Sequence, residues 1–508
     1  MMAHSRFAGL RFIGALLAVL FPLCAIAQTP GTLDTTFGGT GGVVTAVSPA
    51  GGDDRVRAMV LQPDGKIVLG GTCEDDFCLV RYLPNGTLDA TFGAAGRVIQ
   101  NVVGTDNAYA MALQPDGKFV LVGTCIPNLT LTSTMCAARF TTTGALDVTF
   151  GGGGTGWITV DITSGGDVAR AVALQGDGKI VMAGVCTGFI SPTLQDFCLV
   201  RLNSDGTLDT SFNGTGKVVT TFGGSGLNQG ANAVAVQPDG KIVAAGYCHV
   251  GSFDSFCVAR YEANGVQLDG TFGSGAGYVT KQLFASYNSR AYAIMLQPNG
   301  KMLVGGECGS ALCMIRYLAT GAPDTSFGVN GVVGTAGTTS YEGKTGALAL
   351  APDGTVMHAG WSNPGPGIDY RRIERYAYDG TPPAGFFTPT IIASHYINGE
   401  AQGWNAIAMQ RDGKVVVASS GAEASGLVGD FLVARYHGFA TEVGNCSLDI
   451  DGDGKVLATT DALIQARVAL GMTGSAVTNG ITFAPHAQRQ NWADIRSYLI
   501  TQCGMMIP

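Results

Sequence analysis

The sequence contains few charged residues and few histidines. Of its 508 residues, 13% are Asp, Glu, Lys or Arg, six are His, and 8% are aromatic. The formal net charge of -8 is spread along the chain, which argues against nucleic acid or an anionic membrane as the main partner. No Gly-x-Ser-x-Gly elbow, phosphate-binding loop or His-Glu-x-x-His motif is present. An enzyme is therefore the less favoured class, although an active site assembled from distant loops would escape such a search.

Long apolar runs are also missing, except at the N-terminus. Arg6 and Arg11 precede the apolar segment 12–23, and the small-residue segment 25–27 follows it. This order is typical of a signal peptide, so we expect residues 1–27 to be removed. The run is too short to span a bilayer comfortably, and no later segment is long enough for a transmembrane helix. We therefore expect a secreted or periplasmic protein with no membrane partner after cleavage.

Glycine, by contrast, is abundant, with 76 residues, and part of it belongs to a repeated turn motif, Gln-Pro-Asp-Gly or a close variant. Its spacing ranges from 52 residues (65 to 117) to 62 residues (178 to 240). The glycine of the motif occupies seven positions: Gly65, Gly117, Gly178, Gly240, Gly300, Gly354 and Gly413. Repetition at this period indicates one architectural unit per copy.

Each unit contains four strand-like segments joined by hairpin turns. In the first full unit these turns are Pro63-Asp64-Gly65 and Pro84-Asn85-Gly86, in which glycine supplies a positive φ. The fourth segment has the weakest strand pattern. It begins with Thr-Leu-Asp-Ala-Thr-Phe-Gly and continues toward residue 102. Seven such meanders predict an all-β fold, a seven-bladed β-propeller of four-stranded antiparallel blades over residues 28–440. A parallel solenoid is the alternative, and the hairpin turns count against it.

The element Leu-Asp-x-Thr-Phe-Gly recurs once per unit, and its phase predicts ring closure. Its first copy, residues 33–38, precedes the first turn motif, whereas the seventh unit ends without a copy of its own. The simplest arrangement pairs the N-terminal copy with the last blade and removes an open edge. The combined repeat resembles the delta-60 repeat family of exported bacterial proteins, over roughly residues 30–440. That resemblance implies a propeller-like fold and very little about activity.

One arginine and one aspartate also recur once per unit. The arginines could line a channel for an anionic ligand, or each Arg–Asp pair could lock the interface between repeats, which we favour. The positions are Arg81, Arg139, Arg201, Arg260, Arg316, Arg375 and Arg435, with Asp34, Asp89, Asp147, Asp209, Asp269 and Asp324.

Twelve of the thirteen cysteines remain once Cys24 is removed with the signal peptide, an even number typical of an oxidising compartment. Ten of them flank the loop between the second and third strands of a blade, where neighbouring antiparallel strands bring two cysteines within bridging distance. Zinc would need more regular spacing. We predict the disulfides Cys73–Cys78, Cys125–Cys136, Cys186–Cys198, Cys248–Cys257, Cys308–Cys313 and Cys446–Cys503.

The connections that follow the second and fourth strands vary in length and lie on one face of a propeller. Function on repeat scaffolds usually resides in the variable loops of one face. Six aromatic residues assigned to this face could stack on sugar rings, or could pack beneath the longer loops: Tyr287, Tyr341, Trp361, Tyr370, Tyr396 and Trp404.

The composition changes after residue 440, where a calcium-loop pattern appears. Acidic residues occupy loop positions 1, 3 and 5, and glycine follows at position 6, which is the oxygen-rich tight loop that calcium requires. The predicted ligands are Asp449, Asp451, Asp453, the Lys455 carbonyl and Asp461. A helix with an apolar stripe of Leu463, Ala466 and Leu470 should follow. A solvated acidic turn is the alternative interpretation.

This segment resembles half of a type I dockerin, an EF-hand-like calcium-loop module that docks extracellular proteins. Two features depart from that family: Asp461 comes one residue late, and no second loop is evident. We therefore expect calcium to stabilise a small α-helical module at 441–508, closed by Cys446–Cys503, while docking to a cohesin-like partner is in doubt.

Two functional hypotheses follow. The preferred one is a secreted, non-enzymatic propeller that binds or scaffolds an extracellular ligand, a carbohydrate or a cell-surface protein. The alternative is an extracellular enzyme that acts on polysaccharide and uses the terminal module as a docking tag. They differ in whether a retained polymer is also cleaved.

Overall fold

Short antiparallel strands make up most of the regular structure. A computed structural model of the chain describes residues 31–49, 52–128, 132–188, 194–223, 228–283, 287–297, 299–309, 311–334, 343–351, 354–365, 368–381, 403–410, 412–421, 429–437, 450, 459–469, 472–483 and 489–501. The signal peptide predicted at residues 1–27 lies outside these ranges.

The strands form seven antiparallel sheets, and six of the sheets contain four described strands each. Blade 1 comprises β2 (Asp54–Leu61), β3 (Ile67–Cys73), β4 (Asp76–Tyr82) and β5 (Arg97–Gln100). Blade 2 comprises β6 (Thr105–Leu113), β7 (Phe119–Ile126), β8 (Thr134–Phe140) and β9 (Trp157–Val160). Blade 3 comprises β10 (Asp167–Leu174), β11 (Ile180–Thr187), β12 (Gln195–Leu202) and β13 (Lys217–Thr220).

The remaining blades follow the same order. Blade 4 comprises β14 (Gln229–Val236), β15 (Ile242–Val250), β16 (Phe253–Tyr261) and β17 (Tyr278–Lys281). Blade 5 comprises β18 (Ser289–Leu296), β19 (Met302–Cys308), β20 (Ala311–Tyr317) and β21 (Val332–Gly334). In blade 6 the described strands are β22 (Gly343–Leu350), β23 (Val356–Gly365) and β24 (Ile368–Tyr376). Blade 7 combines β25 (Ala406–Met409), β26 (Val415–Gly421) and β27 (Asp430–Tyr436) with β1 (Gly42–Thr45).

The core lies between neighbouring blades. The second strand of blade 1, Ile-Val-Leu-Gly-Gly-Thr-Cys, is buried at every position, because both of its faces are covered. From one face Val68 packs with Phe119 and Leu121 of blade 2, and from the other Ile67 and Leu69 pack with Val416 of blade 7. Each first strand contacts the first strands of both adjacent blades, and β25 meets β2, so the seven blades form a closed ring around a central channel. This is a seven-bladed β-propeller.

The two ends of the propeller differ in their connections. We call one end the turn face; it carries the short turns between first and second strands (62–66 in blade 1) and after the third strand (83–87). The opposite end, the loop face, carries the hairpin loops between second and third strands and the connections between blades (101–104 in blade 1).

The Leu-Asp-x-Thr-Phe element is a turn, not the start of the fourth strand as the sequence suggested. Leu88 forms a single bridge with Tyr82, and the Asp89 carboxylate then accepts hydrogen bonds from the N–H and hydroxyl of Thr91. This aspartate-capped turn redirects the chain, so the fourth strand is the short β5, which begins only at Arg97.

The N-terminal segment closes the ring, as its phase predicted. Gly42 pairs with Ala434 and Thr45 with Phe431, so β1 is the outer strand of blade 7. Leu33 bridges Tyr436, which places the first Leu-Asp-Thr-Thr-Phe copy where the missing seventh copy would lie.

Five of the predicted disulfides are present, and their Cα–Cα distances are 5.4 to 5.9 Å. The sequence predicted that the two cysteines of a pair would lie directly opposite each other. They do not. Cys78 instead faces Gly71, and Cys73 faces Asp76, so the bridge runs diagonally between the strands. Because the glycine has no side chain, it leaves space for the sulfur atoms. Cys446 and Cys503 lie outside the described residues.

The recurring Arg–Asp pairs lock neighbouring blades together. In blade 4, the Arg260 Nε donates to Asp269 Oδ2 at 2.6 Å, and its Nη1 donates across the interface to the Ala319 carbonyl of blade 5 at 2.6 Å. The same guanidinium lies 4.7 Å above the Phe272 ring, and Lys241 also contacts Asp269. Equivalent ion pairs join Arg81 to Asp89, Arg139 to Asp147, Arg201 to Asp209, Arg316 to Asp324 and Arg435 to Asp34.

The last of these locks also connects the two ends of the ring. Arg435 donates to the Pro84 carbonyl of blade 1 and to Asp34 of the N-terminal segment. In blade 6, the described partner of Arg375 is Thr355. The six arginines that form the ion pairs are therefore interface residues, and the channel-lining interpretation is wrong for these six.

We expect the stability of the propeller to pass through a maximum near pH 4–5. Burial alone would raise the pKa of Asp89, but hydrogen bonds from Thr91 and the charge of Arg81 hold it at about 2. Its stabilising contribution is therefore complete above its unfolded pKa of about 3.9 and is lost as the pH falls toward 2. The other five lock aspartates shift in the same direction.

The pKa of Asp167 shifts in the opposite direction. Burial raises its pKa to about 6, against the hydrogen bonds from Ile162 and Thr163. Its contribution is complete below about pH 4 and is lost as the pH rises through about 6. Melting temperatures measured from pH 2 to 8 should show both slopes, and Asp167→Asn should flatten only the one between pH 4 and 6. A profile that stays flat below pH 4 would contradict the locks.

The described part of the C-terminal segment forms three short helices: α1 (Asp461–Ala469), α2 (Ser475–Thr478) and α3 (Trp492–Thr501). Among the described side chains of α1, the buried apolar ones are Ile464 and Val468, which pack with Val477, Ile495 and Leu499. The predicted stripe is therefore wrong: Ala466 is exposed, and Leu470 lies outside the described residues. Of the helices in the described ranges, none has the length and apolar character needed to cross a membrane.

Candidate functional site

A β-bulge interrupts the first strand of the blades at one repeated position. In blade 1, Val56 pairs with Gly71 and Ala58 with Gly70, so the register of the ladder skips Arg57. The same register shift occurs in blades 2 to 6, and Asn405 occupies the equivalent position in blade 7. A bulge places an extra residue at a defined point and re-aims its side chain.

The bulge depends on a glycine in the second strand. A Cβ added to Gly71 would lie 1.9 Å from the Arg55 carbonyl oxygen, so only glycine permits this close approach. The equivalent glycines of blades 2 to 5 would make the same clash at 1.8 to 2.0 Å: Gly123, Gly184, Gly246 and Gly306. The glycine that lies two residues before the first cysteine of each pair thus accommodates the bulge.

The seven bulge residues line the central channel at one height, and we call them the bulge ring. Its members, in blade order, are Arg57, Tyr109, Arg170, Asn232, Tyr292, Gly346 and Asn405. Alanine follows every one of them, whereas the ring positions themselves hold arginine, tyrosine, asparagine and glycine. The residue that follows the bulge is therefore the same in every blade, whereas the bulge residue, which projects into the channel, varies.

Contacts between neighbouring blades fix several ring side chains. The Arg170 Nη1 donates to Asn232 Oδ1 at 2.7 Å, and the Asn232 Nδ2 donates to the Ala291 carbonyl at 2.8 Å. Between blades 7 and 1, the Asn405 Nδ2 donates to the Val56 carbonyl at 2.9 Å. The Arg57 guanidinium lies 5.8 Å from the centroid of the Tyr109 ring. These contacts hold the site before any ligand is bound.

A cavity of about 520 Å³ lies at the bulge ring and extends toward the loop face. Besides the ring it is lined by Gln195, Tyr247 and Arg290. Tyr247 donates its hydroxyl to Gln195 Oε1 at 2.6 Å, and Arg290 stacks on its ring at 4.9 Å. The described lining contains three arginines and no acidic side chain. Its volume falls in the range of sites for small ligands.

Arg290 and Arg170 differ in their electrostatic environment. The Arg290 Nε donates to Asp254 Oδ2 at 2.6 Å; burial would lower its pKa, but Asp254 raises it well above its usual range. Arg170 has a neutral amide as its hydrogen-bond partner, and no carboxylate within the described ranges lies within 4.0 Å of its guanidinium nitrogens. The positive charge of the cavity is therefore least compensated on the side of blade 3.

Tyr292 is fixed as a protonated phenol. Its burial, and after that the neighbouring Glu307, raise its pKa far above the usual range. Its hydroxyl donates to Glu307 Oε2 at 3.3 Å. Because its single O–H is directed at Glu307, the phenol oxygen can accept a hydrogen bond from a ligand at physiological pH, but it is not available as a base.

Of the aromatic residues predicted to form a ligand face, those whose side chains the structure describes do not line this cavity. Tyr287 packs against the hairpin loop of blade 5 at Gly309, and Trp361 packs against Gly403. Trp404 is only 2% exposed and lies in the core beside Tyr436, so it cannot stack on a ligand. Tyr341 and Tyr396 lie outside the described residues, and of Tyr370 only the backbone, in β24, is described.

The predicted calcium ligands are described only in part. Asp449, Asp451, Asp453 and Lys455 lie outside the described residues. Asp461 is buried at the start of α1, and its Oδ1 accepts a hydrogen bond from the N–H of Ile450 at 2.6 Å. Within the described parts of the chain, no three His, Cys, Asp or Glu side chains are grouped as metal ligands.

Comparison with known families supports the repeat architecture. The model of a β-propeller domain of unknown function, DUF5122, matches residues 62–92, 175–212, 237–272 and 297–327. Each matched segment lies within one of the blades described above. The chain is a propeller repeat protein. No curated protein matches the propeller.

Solved structures resemble the propeller only at low identity. A protein of unknown function from Dyadobacter fermentans is 11% identical, with a TM-score of 0.40 and coverage of 78% of this chain and 98% of that one. Virginiamycin B lyase from Staphylococcus aureus is 8% identical, with a TM-score of 0.38 and coverage of 77% and 99%. An ulvan lyase is 9% identical, with a TM-score of 0.39 and coverage of 78% and 96%. These likenesses carry no inference about activity.

Proposed function

We propose that this propeller is a secreted or periplasmic binding protein whose extracellular ligand occupies the central cavity and enters from the loop face. One observation carries the proposal: the residue that follows the bulge is alanine in all seven blades, whereas the bulge residue itself varies. Packing alone would favour the same residue in all seven blades, as it does for the alanine that follows. The bulge ring instead holds two arginines, two tyrosines, two asparagines and one glycine, which creates an asymmetric site of the kind that recognises one ligand.

The cavity favours binding over the alternative, catalysis on a polysaccharide. General acid–base catalysis needs a group whose pKa lies near the working pH. The described lining offers arginine, tyrosine, asparagine, glutamine and glycine. The pKa of Tyr292 is raised, which moves it further from that condition.

Filling the cavity should abolish ligand retention without unfolding the protein. We expect Asn232→Trp to lose retention of the ligand selected on an array of glycans and extracellular proteins. The matched control is Val266→Trp, which adds the same side chain at an exposed turn position (61% exposed). Both variants should keep the wild-type circular dichroism spectrum. Equal retention by Asn232→Trp and wild type would contradict the proposal, and release of a cleaved product would favour the enzyme.

We further propose that the C-terminal segment, including Asp449, Asp451, Asp453, the Lys455 carbonyl and Asp461, binds calcium and is thereby stabilised. Support comes from the sequence pattern and from Asp461, whose carboxylate lies beside Ile450, the residue between the first two predicted ligands. Calcium would neutralise the mutual repulsion of closely spaced carboxylates. The ten bridged cysteines of the propeller agree with folding in an oxidising compartment, where extracellular calcium is available.

Calorimetric titration of the full-length mature chain tests the calcium site. We expect one calcium ion bound with a dissociation constant of about 10⁻⁴ to 10⁻³ M, the range of extracellular modules, because Asp461 is one residue late. Asp451→Ala should remove the binding heat, whereas Asp64→Ala, in an exposed turn, should not. If magnesium at equal ionic strength gives the same heat, the loop is a solvated acidic turn and this part of the proposal fails.

A further inference from the structure

The Arg170 guanidinium, whose hydrogen-bond partner in the cavity is the neutral Asn232 amide, points to a ligand class. We propose that the cavity binds an acidic oligosaccharide and holds its carboxylate or sulfate group on the arc formed by Arg57, Tyr109 and Arg170. This inference rests on the proposed function and narrows it to one kind of ligand.

The arc is continuous because its members come from blades 1, 2 and 3, at the same position of each first strand. Arg57 and Arg170 therefore flank Tyr109 at one height in the channel. The Arg170 guanidinium donates to a neutral amide oxygen, so an incoming anion does not compete with a carboxylate for it. Planar guanidinium groups match the paired oxygens of a carboxylate or sulfate.

The opposite wall leaves room for the body of the ligand. A Cβ on Gly346 would lie 1.7 Å from the Trp404 carbonyl oxygen, so blade 6 cannot place a side chain in the channel. Asn405 of blade 7 is held back by its hydrogen bond to Val56. The anionic group and the open space thus lie on opposite sides of the ring, as a ligand with one charged end requires.

The character of the lining selects a saccharide over a peptide or a folded protein. No aliphatic side chain faces the cavity among the described residues; the donors and acceptors are guanidinium, amide and phenol groups. Such a surface suits a ligand covered with hydroxyl groups, whereas a peptide would bring apolar side chains that find no apolar partner. A folded protein is too large to enter a cavity of about 520 Å³, which is the size of a small-ligand site.

The test is an array on which each acidic oligosaccharide is printed beside its neutral counterpart, methyl-esterified for uronates or desulfated for sulfated sugars, with acidic peptides as a further arm. The full-length mature protein should bind at least one acidic saccharide and lose that binding on the neutral form. We expect Arg170→Gln to weaken binding by about tenfold to a hundredfold, the loss of one charged hydrogen-bond donor. Arg170→Lys should recover part of it. Lys281→Gln, on the exposed outer strand of blade 4, should bind like wild type.

The outcomes separate this inference from the proposed function. Binding of a neutral glycan or an acidic peptide that Asn232→Trp abolishes would overturn the acidic-saccharide assignment and leave cavity binding intact. Binding that neither Asn232→Trp nor Arg170→Gln changes would overturn both. Absence of binding to every acidic saccharide would also overturn the inference, provided that the melting temperature shows a folded protein.

Discussion

Deletion of residues 31–47 should destabilise the propeller far more than the loss of one outer strand would. The deletion removes β1 from blade 7, removes the fully buried Phe37, and leaves the buried Arg435 without Asp34. Losing a buried phenylalanine costs about 3–5 kcal/mol, and leaving a buried charge unpaired costs about as much again. Guanidinium denaturation should therefore show an early transition or a fully unfolded protein.

The geometry of the closure provides a matched control. The Gly31 N–H donates to the His437 carbonyl at 2.8 Å, so the beginning of the N-terminal segment lies beside the end of blade 7. Reinserting residues 31–47 directly after residue 437 should restore β1 and recover most of the lost stability. If the deleted protein melts like the parent, or if the reinsertion recovers nothing, the N-terminal strand is not what closes the ring.

Breaking one Arg–Asp lock should have the second largest effect. Asp269 is fully buried and receives both Arg260 and Lys241, so Asp269→Ala leaves a buried guanidinium without its counter-charge. We expect a loss of about 3–5 kcal/mol in the free energy of unfolding, measured by chemical denaturation. The double variant Arg260→Met with Asp269→Leu should recover much of this loss, since no charge is then left unpaired.

Asp239→Ala is the control for this prediction, because it removes a carboxylate from the same blade at an exposed turn. Its described contact is with the Lys241 N–H at 3.1 Å, and its loss should cost about 1 kcal/mol or less. Equal effects of Asp239→Ala and Asp269→Ala would show that the locks contribute nothing special to the blade interfaces.

Much of the architecture could be predicted from the sequence because the propeller repeats its local chemistry in every blade. The Asp-Gly turns fixed the number of blades, and the phase of the first Leu-Asp-Thr-Thr-Phe copy predicted the closure onto blade 7. The Arg–Asp pairs were assigned to the interface because they recur unchanged. Trp404, a large aromatic residue next to a variable segment, resembled a ligand contact in the sequence. It is instead buried in a core cluster shared by blades 6 and 7, with Met357 and Val417 among its members.

The candidate site could not be predicted, because it depends on strand register. Alternation along β2 does not reveal that Arg57 is skipped in the ladder, and that skip decides which side chain enters the channel. A signal was nevertheless present: alanine recurs at Ala58 and its six equivalents, each preceded by a changing residue, and glycine recurs at Gly71 and in blades 2 to 5. A search for constant residues does not find the site, because the bulge residue is the one that varies.

The most direct test of ligand binding at the bulge ring is a crystal structure of the mature protein with the saccharide selected on the array. We predict ligand density in the central cavity, with an anionic group within hydrogen-bond distance of the Arg170 guanidinium and the sugar body toward Gly346. Ligand density on the outer surface of the blades or on the C-terminal segment, with none in the cavity, would contradict it.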